Sequence, residues 1–504
     1  MKLDSQAVLG DKGLIAKRLK TYESRGEQLA MADAVAQAID SRQHLVVEAG
    51  TGVGKSFAYL VPAILAAAQR GDDEKPLRIV VSTHTISLQE QLVYKDIPFL
   101  NAVLPVEFSA VLVKGRSNYL SLRRLQTANE RGGGTLFEND SLSQLRRIGE
   151  WSATTADGSR SDLPFQPLPE VWDEVYSDSG NCLGKRCPTY DDCFYYRARR
   201  RVWNANLLVV NHALFFSDLA LRRDGASVLP DYDVAIFDEA HTLEGVAGDY
   251  LGVATSLGQF RYLYNRLYND RQGKGLLVIH ELKRAQQLVQ RLRSLTEEFF
   301  EEIRIFANRR PRQRAPAQAA PHREPPRPDS RDLSRELADS ADKCEDESKK
   351  AELTGMADRI QQMAVSLNTW LTQKLEDGVY WIEDVGGRQR NVKLVSAPVE
   401  VGPVLRDELF AKVPSVILTS ATLSVGKQDF SYFRGRIGLT QGTDLKLGSP
   451  FDYRSQAKLI IADDMPDPSS DARKFEGEMC RSASSGTSSR PADKRLCCSP
   501  AIAP

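Results

Sequence analysis

Net charge is missing from this chain: 67 Lys and Arg are matched by 67 Asp and Glu over 504 residues, which removes any global electrostatic pull toward nucleic acid or a membrane surface. Long apolar runs are missing too. The longest, from Phe57 to Ala68, is shorter than the about 20 residues that span a bilayer. It reads as a buried helix, and no membrane association is expected. Cysteine is scarce. Seven in a chain of this size exclude a disulfide scaffold, and the clustering of Cys182, Cys187 and Cys193 points to metal or cofactor chemistry before oxidation. The N-terminus, MKLDSQAVLGDKG, carries Asp4 and no apolar core, so a secretory signal is not expected and the protein is placed in the cytoplasm. Against these absences stands an ordinary globular composition, 41% hydrophobic and 27% charged, with length for more than one packed core of about 100–200 residues.

Five short apolar runs, rich in β-branched residues, read as strands buried on both faces: Leu45–Val47, Ile79–Val81, Leu207–Val210, Val234–Phe237 and Val416–Leu418. Continuous rather than alternating runs belong to parallel sheets. Helical patterns such as Glu27–Ile39 and Phe57–Ala68 alternate with them, so the fold class is α/β, a doubly wound parallel sheet. Two stretches interrupt it: residues 121–200, which hold the cysteine cluster, and residues 253–377, which are mostly helical. Within the second, residues 309–328 contain six Arg, six Pro and a single acid, Glu324. That segment has too little apolar area to fold and reads as a disordered, solvated loop. From Asp467 to Pro504 the chain is Ser-rich and aperiodic, with Cys497 beside Cys498, and reads as a disordered, atypical tail.

The first strand leads into Glu48-Ala49-Gly50-Thr51-Gly52-Val53-Gly54-Lys55-Ser56, a phosphate-binding loop with Ala in place of the first Gly. Glycines let the backbone wrap phosphates with its N–H groups, Lys55 reaches the β- and γ-phosphates, and the Ser56 hydroxyl ligates Mg2+. A Gly-rich turn can arise by chance, but Gly-Lys-Ser between a strand and a helix indicates nucleotide binding. The strand Val234–Phe237 ends in Asp238-Glu239-Ala240-His241. A carboxylate at the end of a neighbouring buried strand can hold Mg2+ across from the loop, and the second acid can deprotonate the attacking water. Asp238 is therefore the metal residue and Glu239 the base. Acids after a strand more often mark a helix N-terminus; the Lys55 loop tips the reading toward catalysis.

At these residues the chain resembles the helicases with a DEAH box and, more narrowly, the DinG/XPD family of iron–sulfur DNA helicases. The resemblance runs from about Tyr22 to Pro468 and rests on several ordered motifs. They are Tyr22-Glu23-Ser24-Arg25 with Gln28; Ser82-Thr83-His84-Thr85 leading into Leu88-Gln89-Glu90-Gln91-Leu92; Lys114-Gly115-Arg116-Ser117-Asn118-Tyr119-Leu120; Val210-Asn211-His212; the DEAH box; and Thr419-Ser420-Ala421-Thr422-Leu423. The resemblance implies a RecA-like motor domain in three parts, residues 1–120, 201–252 and 378–430. It implies an iron–sulfur-type insertion at 121–200, a helical, arch-like insertion at 253–377, the start of a second motor domain at 431–466, and the tail at 467–504. It also implies roles. Gln28 reads adenine, and Gly50, Thr51, Gly52, Gly54, Lys55 and Ser56 hold ATP and Mg2+. Lys55, Asp238, Glu239 and His241 form the catalytic set. Ser82, Thr83, His84, Thr85 and Arg116 contact nucleic acid, and Ser420, Ala421 and Thr422 couple nucleotide state to movement.

The activity so implied is ATP hydrolysis coupled to 5′ to 3′ translocation on single-stranded DNA. Its substrates are forked or tailed duplexes met in repair or replication stress, and its form is a monomer associated with the nucleoid. No Gly-Arg-x-Ile-Arg motif follows Asp467, so the second motor domain and its arginine fingers are largely missing from these residues. The alternative is a truncated half-motor that binds ATP and single-stranded DNA without unwinding.

Cys182, Cys187 and Cys193 offer three thiolates in a short irregular span, soft ligands suited to iron–sulfur clusters or zinc. In the resembling family a fourth cysteine follows the Asn-Tyr-Leu stretch; here Ser121 stands in its place. Four readings stay open: a 4Fe–4S cluster with Ser121, water or another oxygen as fourth ligand; a three-iron cluster; zinc; or no metal. Close by, Phe194, Tyr195, Tyr196 and Trp203 interleave with Arg197, Arg199, Arg200 and Arg201. That pattern fits bases stacked at about 1–3 kcal/mol each, or an amphipathic helix packed on the cysteine domain.

Overall fold

The computed structural model describes residues 3–68, 77–132, 139–223, 225–309, 327–373, 377–386, 391–426 and 428–451. The chain divides into two units, Met1–Gly448 and Ser449–Pro504. Only residues 449–451 of the second are among those described, so the first unit carries the architecture below. The proposed tail at 467–504 and most of the proposed loop at 309–328 lie outside the described residues. The ends of that loop are helical: Arg309 closes the helix Lys283–Arg309, and Arg327 and Pro328 open the helix Arg327–Asp342.

Ten strands are described: β1 Leu45–Glu48, β2 Ile79–Thr83, β3 Ala110–Leu112, β4 Leu207–Asn211, β5 Val234–Asp238, β6 Val253–Ser256, β7 Gly378–Val385, β8 Asn391–Pro398, β9 Ser415–Ser420 and β10 Thr443–Lys446. Seven form one parallel sheet in the order β10-β1-β9-β5-β2-β4-β3. Its central strands are apolar at successive positions because both faces are covered. Val47, Val81, Val209 and Ile236 face the layer built by helices Gly26–Asp40 and Lys55–Ala68. Val46, Val80, Leu208 and Phe237 face the opposite layer, where Phe215 and Phe216 of helix His212–Arg223 pack. Each fully buried aliphatic side chain contributes about 1.5–3 kcal/mol, and this two-sided burial gives the expected α/β parallel sheet. All five strands expected from sequence are present. β3 and β10 are additions, being half-buried or polar at the sheet's two edges.

The family resemblance puts residues 431–466 at the start of a second motor domain. The structure corrects the first part of that range. Helix Ser431–Ile437 packs Phe433 and Ile437 into the second core layer, and β10 pairs in parallel with β1, Leu45 opposite Thr443. A second correction concerns residues 378–398. They do not extend the parallel sheet; β7 and β8 join β6 in a three-stranded antiparallel sheet. Tyr380, Val392 and Leu394 enter the core of the helical insertion with Phe300, Leu333 and Ile360. Polar and apolar positions alternate over Asn391–Leu394, the first half of β8, as expected for a sheet with one covered face.

The cysteine insertion has its own small core of Leu125, Ile148, Trp172 and Phe194. It meets the helical insertion along a seam of charge. Arg131 donates to both carboxylate oxygens of Glu352 at 2.9 and 2.7 Å, Arg359 to Asp178 at 3.0 Å, and Arg266 lies 3.6 Å from Glu174. Helix Glu347–Thr372 comes so close that a Cβ on Gly355 would sit 2.5 Å from the Gly180 carbonyl oxygen. Only glycine permits that approach. No helix among the described residues is long and apolar enough to cross a membrane.

Candidate nucleotide site, DNA groove and cysteine pocket

Strand order decides which loops meet. β9 lies between β1 and β5 with Glu48 opposite Ser420 and Asp238 opposite Thr419. The phosphate loop after β1, the Ser-Ala-Thr segment after β9 and the DEAH box after β5 therefore emerge side by side at the carboxyl ends of the strands, where parallel sheets build their sites. Lys55 opens the helix Lys55–Ala68, and its Nζ lies 3.8 Å from Glu239 Oε1 and 3.4 Å from the Ala49 carbonyl. Ser420, fully buried, donates to Glu239 Oε2 at 3.3 Å, and its hydroxyl is 2.7 Å from His241 Nδ1. Glu239 itself holds a left-handed backbone, φ 56°, an uncommon conformation that aims its side chain back toward the loop.

Asp238 is buried, with the Tyr59 hydroxyl donating to it at 3.2 Å. Burial pushes its carboxyl up to about 6, with Glu239 adding to the rise and Lys55 opposing it. A buried carboxylate held this far from its ordinary value favours a cation beside it, which fits the expected Mg2+ ligand. Ser56 sits beside Tyr59 and Asp96, whose carboxyl burial also raises. Asp96 thus adds a carboxylate that no motif announced. Glu48 is another residue missed in the sequence. Burial raises its carboxyl, but the Lys446 ammonium and the amides of Ser424 and Leu423 outweigh that and hold it at about 2. It ties the loop's own strand to the segment following Thr422.

Gln28 is buried against the loop. Its amide donates to the Gly54 carbonyl at 3.0 Å and its oxygen accepts from the Tyr22 hydroxyl at 2.8 Å. Gly54 needs to be glycine: its φ is 85° and a Cβ would meet the Gln28 amide nitrogen at 2.2 Å. Arg25 donates to the Gly52 carbonyl. The loop is thus braced from outside, and the Gln28 amide is turned inward onto the loop.

The expected DNA segment divides in two. Ser82 and Thr83 are buried in β2, Ser82 2.6 Å from His212 Nδ1, whereas His84 and Thr85 are exposed, Thr85 capping the helix Ile86–Gln91. A buried hydroxyl spent inside the protein cannot reach a strand of DNA, so only the second half of the motif faces solvent. Arg116 donates to Ser177 Oγ at 3.1 Å and lies 4.3 Å from the Tyr195 ring centre. With Tyr196, Arg199, Arg200 and the half-exposed Trp203 it lines an open groove of about 500 Å³. Buried nitrogens of Arg116 and Arg199 have no hydrogen-bond partner there.

Cys182, Cys187 and Cys193 line one small cavity of about 20 Å³ together with Ser121. The loop is pinned behind by Arg123, which donates to the Asn181 carbonyl and side-chain oxygens at 2.8 and 2.6 Å. Burial pushes the Cys193 thiol up. Three soft sulfurs and one hydroxyl facing one space suit an iron–sulfur ligand set in chemistry. Among the described residues no three His, Cys, Asp or Glu side chains are already gathered at metal-binding geometry.

A phosphate loop whose lysine meets the second acid of a strand-end Asp-Glu-Ala-His, on a parallel α/β sheet, defines a P-loop ATPase of the DEAH-box class. Comparison with known proteins agrees: the family described as DEAD/DEAH box helicase matches residues 30–129. The chain is 34% identical to the ATP-dependent DNA helicase YoaA of Escherichia coli over 464 residues, covering 90% of this chain and 68% of that protein. It is 33% identical to the ATP-dependent helicase DinG of Mycobacterium tuberculosis over 492 residues, covering 89% and 67%. A solved structure of an XPD helicase overlays on 84% of this chain and 62% of its own, with a TM-score of 0.44 at 14% identity. The chain belongs to the family of ATP-dependent helicases that includes YoaA and DinG.

Proposed function

We propose that this chain hydrolyses ATP and couples the reaction to 5′ to 3′ movement along single-stranded DNA, opening forked or tailed duplexes in repair or replication stress. The observation that carries the reading is the contact chain Lys55, Glu239, Ser420 and His241 across three adjacent strand ends. In this reading the amides of Gly50 to Gly54 and the Lys55 ammonium bind the phosphates. Ser56 and Asp238 would hold Mg2+, which would supply positive charge beside the terminal phosphate. Glu239 takes the proton from the attacking water. Ser420, hydrogen-bonded to Glu239 and His241, senses the change and passes it, with Ala421 and Thr422, to the rest of the motor. DNA runs over His84 and Thr85 and along the Arg116 groove, where Trp203 and Tyr195 offer stacking faces and arginines offer phosphate contacts.

The test is turnover with and without single-stranded DNA, with Lys55→Ala as the blank. DNA-stimulated hydrolysis that falls by on the order of 10²–10³ in Lys55→Ala supports the reading; turnover equal to the blank overturns it. A second reading is a half-motor that binds ATP and single-stranded DNA without unwinding. It is favoured by the fact that, among the described residues, the phosphate loop, Ser82–Thr85, the DEAH box and Ser420–Thr422 all belong to strands of one parallel sheet or follow directly on them. A tailed-duplex assay separates the two: strand release supports the first, hydrolysis without release the second.

The cysteine pocket holds an iron–sulfur cluster in this reading, with Cys182, Cys187 and Cys193 as thiolate ligands and Ser121 nearest the fourth position. Protein purified without oxygen should contain iron and acid-labile sulfide, and Ser121→Cys should raise both per chain; protein lacking iron and sulfide would remove the cluster.

A further inference from the structure

His212 stands between the DNA segment and the DEAH box and has no part in the chemistry described above. It follows β4, which pairs with β2, and β2 pairs in turn with β5. Its imidazole reaches back over the sheet's end. Nδ1 lies 2.6 Å from the Ser82 hydroxyl, and the ring centre lies 5.9 Å from the exposed His84 ring and 5.9 Å from Phe237, the residue before Asp238. The residue is 1% exposed, and Nε2 is buried without a hydrogen-bond partner. The ring lies beside the backbone of Asp238 and Glu239, and burial lowers its affinity for a proton, to about 4. A neutral imidazole with one nitrogen satisfied and the other without a partner is a costly arrangement, because a buried polar group without a partner loses its hydration uncompensated. Phenylalanine would fill the same space without that cost.

We propose that His212 is a positioning residue that couples DNA occupancy at His84 and Thr85 to the placement of the Asp238–Glu239 strand end. The inference rests on the DNA-coupled ATPase reading and deepens it. Contact at His84 moves the neighbouring His212 ring; the Ser82 hydroxyl fixes the pivot at Nδ1; the swing of Nε2 changes the ring's contact with the strand end that presents the metal carboxylate and the base. Coupling is reciprocal, so nucleotide must also change the affinity for DNA through the same ring.

The experiment measures the affinity of the full chain for a labelled oligothymidylate by anisotropy, with and without Mg2+ and a slowly hydrolysed ATP analogue. In the wild type, nucleotide should shift DNA affinity by about fivefold or more, the low end of measured couplings between sites. In His212→Phe the shift should collapse toward one, while nucleotide affinity measured without DNA stays unchanged. His212→Asn, which returns a nitrogen toward Ser82, should recover part of the shift. A full wild-type shift in His212→Phe overturns the inference. So does a variant in which nucleotide affinity, DNA affinity and Tm fall together at a constant ratio, since that is a packing defect. Should His212→Phe not fold, His212→Leu, which also keeps no nitrogen, takes its place, and a wild-type shift in it is equally fatal. A wild-type chain whose DNA affinity ignores nucleotide would sink the ATPase–DNA reading and this inference with it; a wild-type shift that survives in the variants sinks this inference alone.

Discussion

The nucleotide loop and the cysteine loop are both short irregular segments rich in chemistry, and they are held in opposite ways. The first hangs from β1, a buried strand flanked by β9 and β10, and its carbonyls are braced by Gln28 and Arg25. The second has no strand beneath it. Side chains hold it: Arg123 on Asn181, Arg359 on Asp178, and the glycine contact between Gly180 and Gly355. Backbone ladders fix position to within the sheet's own rigidity, whereas a loop pinned by side chains inherits the placement of every element that supplies a pin. The cysteine pocket should therefore respond to changes in the distant helix Glu347–Thr372, and the nucleotide loop should not.

The sharpest way to break that contrast is Arg131→Ala. It leaves the Glu352 carboxylate buried beside His280, 3.6 Å away, with its bidentate partner gone. Truncating one member of a buried pair costs about 3–5 kcal/mol, so the seam should open. Limited proteolysis should show the helical insertion and the cysteine loop cut early, while ATP affinity is retained. Loss of ATP affinity to the same degree would mean that the two loops are not held independently.

Acid sets the two regions against each other more gently. Burial raises the Glu352 carboxyl, but His280 and Arg131 outweigh it and hold it at about 2, below its ordinary 4.5. The stability that Glu352 contributes is then complete above pH 4.5 and drains away as pH falls toward 2. Asp238 has the opposite sign. Its carboxyl is raised from 3.8 to about 6, so its contribution is complete below pH 3.8 and is lost as pH rises through 6. Amide exchange followed between pH 5 and 3 should show the seam helices loosening before β5. The smallest effect is expected from Gln28→Ala. Each neutral hydrogen bond it removes is worth about 1 kcal/mol, so nucleotide affinity should weaken by about tenfold with the cysteine pocket undisturbed.

The same contrast explains what could be read from the chain alone. The strands Leu45–Glu48, Ile79–Thr83 and Val234–Asp238 announce themselves because two-sided burial forces a continuous apolar run. The loops at their ends announce themselves because phosphate binding needs glycines and a lysine at fixed spacing. β10 stayed hidden, since Thr443-Asp444-Leu445-Lys446 lies at an edge and is polar where the core strands are apolar. The antiparallel pair β7 and β8 belongs to the insertion through contacts with helices distant in sequence, a relation that no local pattern encodes. Ser82 and Thr83 looked like a DNA contact by resemblance, yet strand burial had already claimed both side chains. His212 stood in the Val210-Asn211-His212 motif with no role attached to it; its position becomes informative only when β4, β2 and β5 are laid side by side.

β1 carries one last consequence, which concerns time rather than energy. Both its neighbours come from the far end of the chain: the hydrogen bond from Ser415 to the Gln43 carbonyl beside it joins residues 372 positions apart. At about 5–20 residues per second on the ribosome, the strand that bears the phosphate loop waits roughly 20–75 s for its first partner. Until then an apolar strand with two open edges stays exposed, and nucleotide has no assembled site to bind. Folding of this sheet is therefore closed by its last strands to be made, and a nascent chain halted before residue 415 should depend on a chaperone and fail to be rescued by ATP.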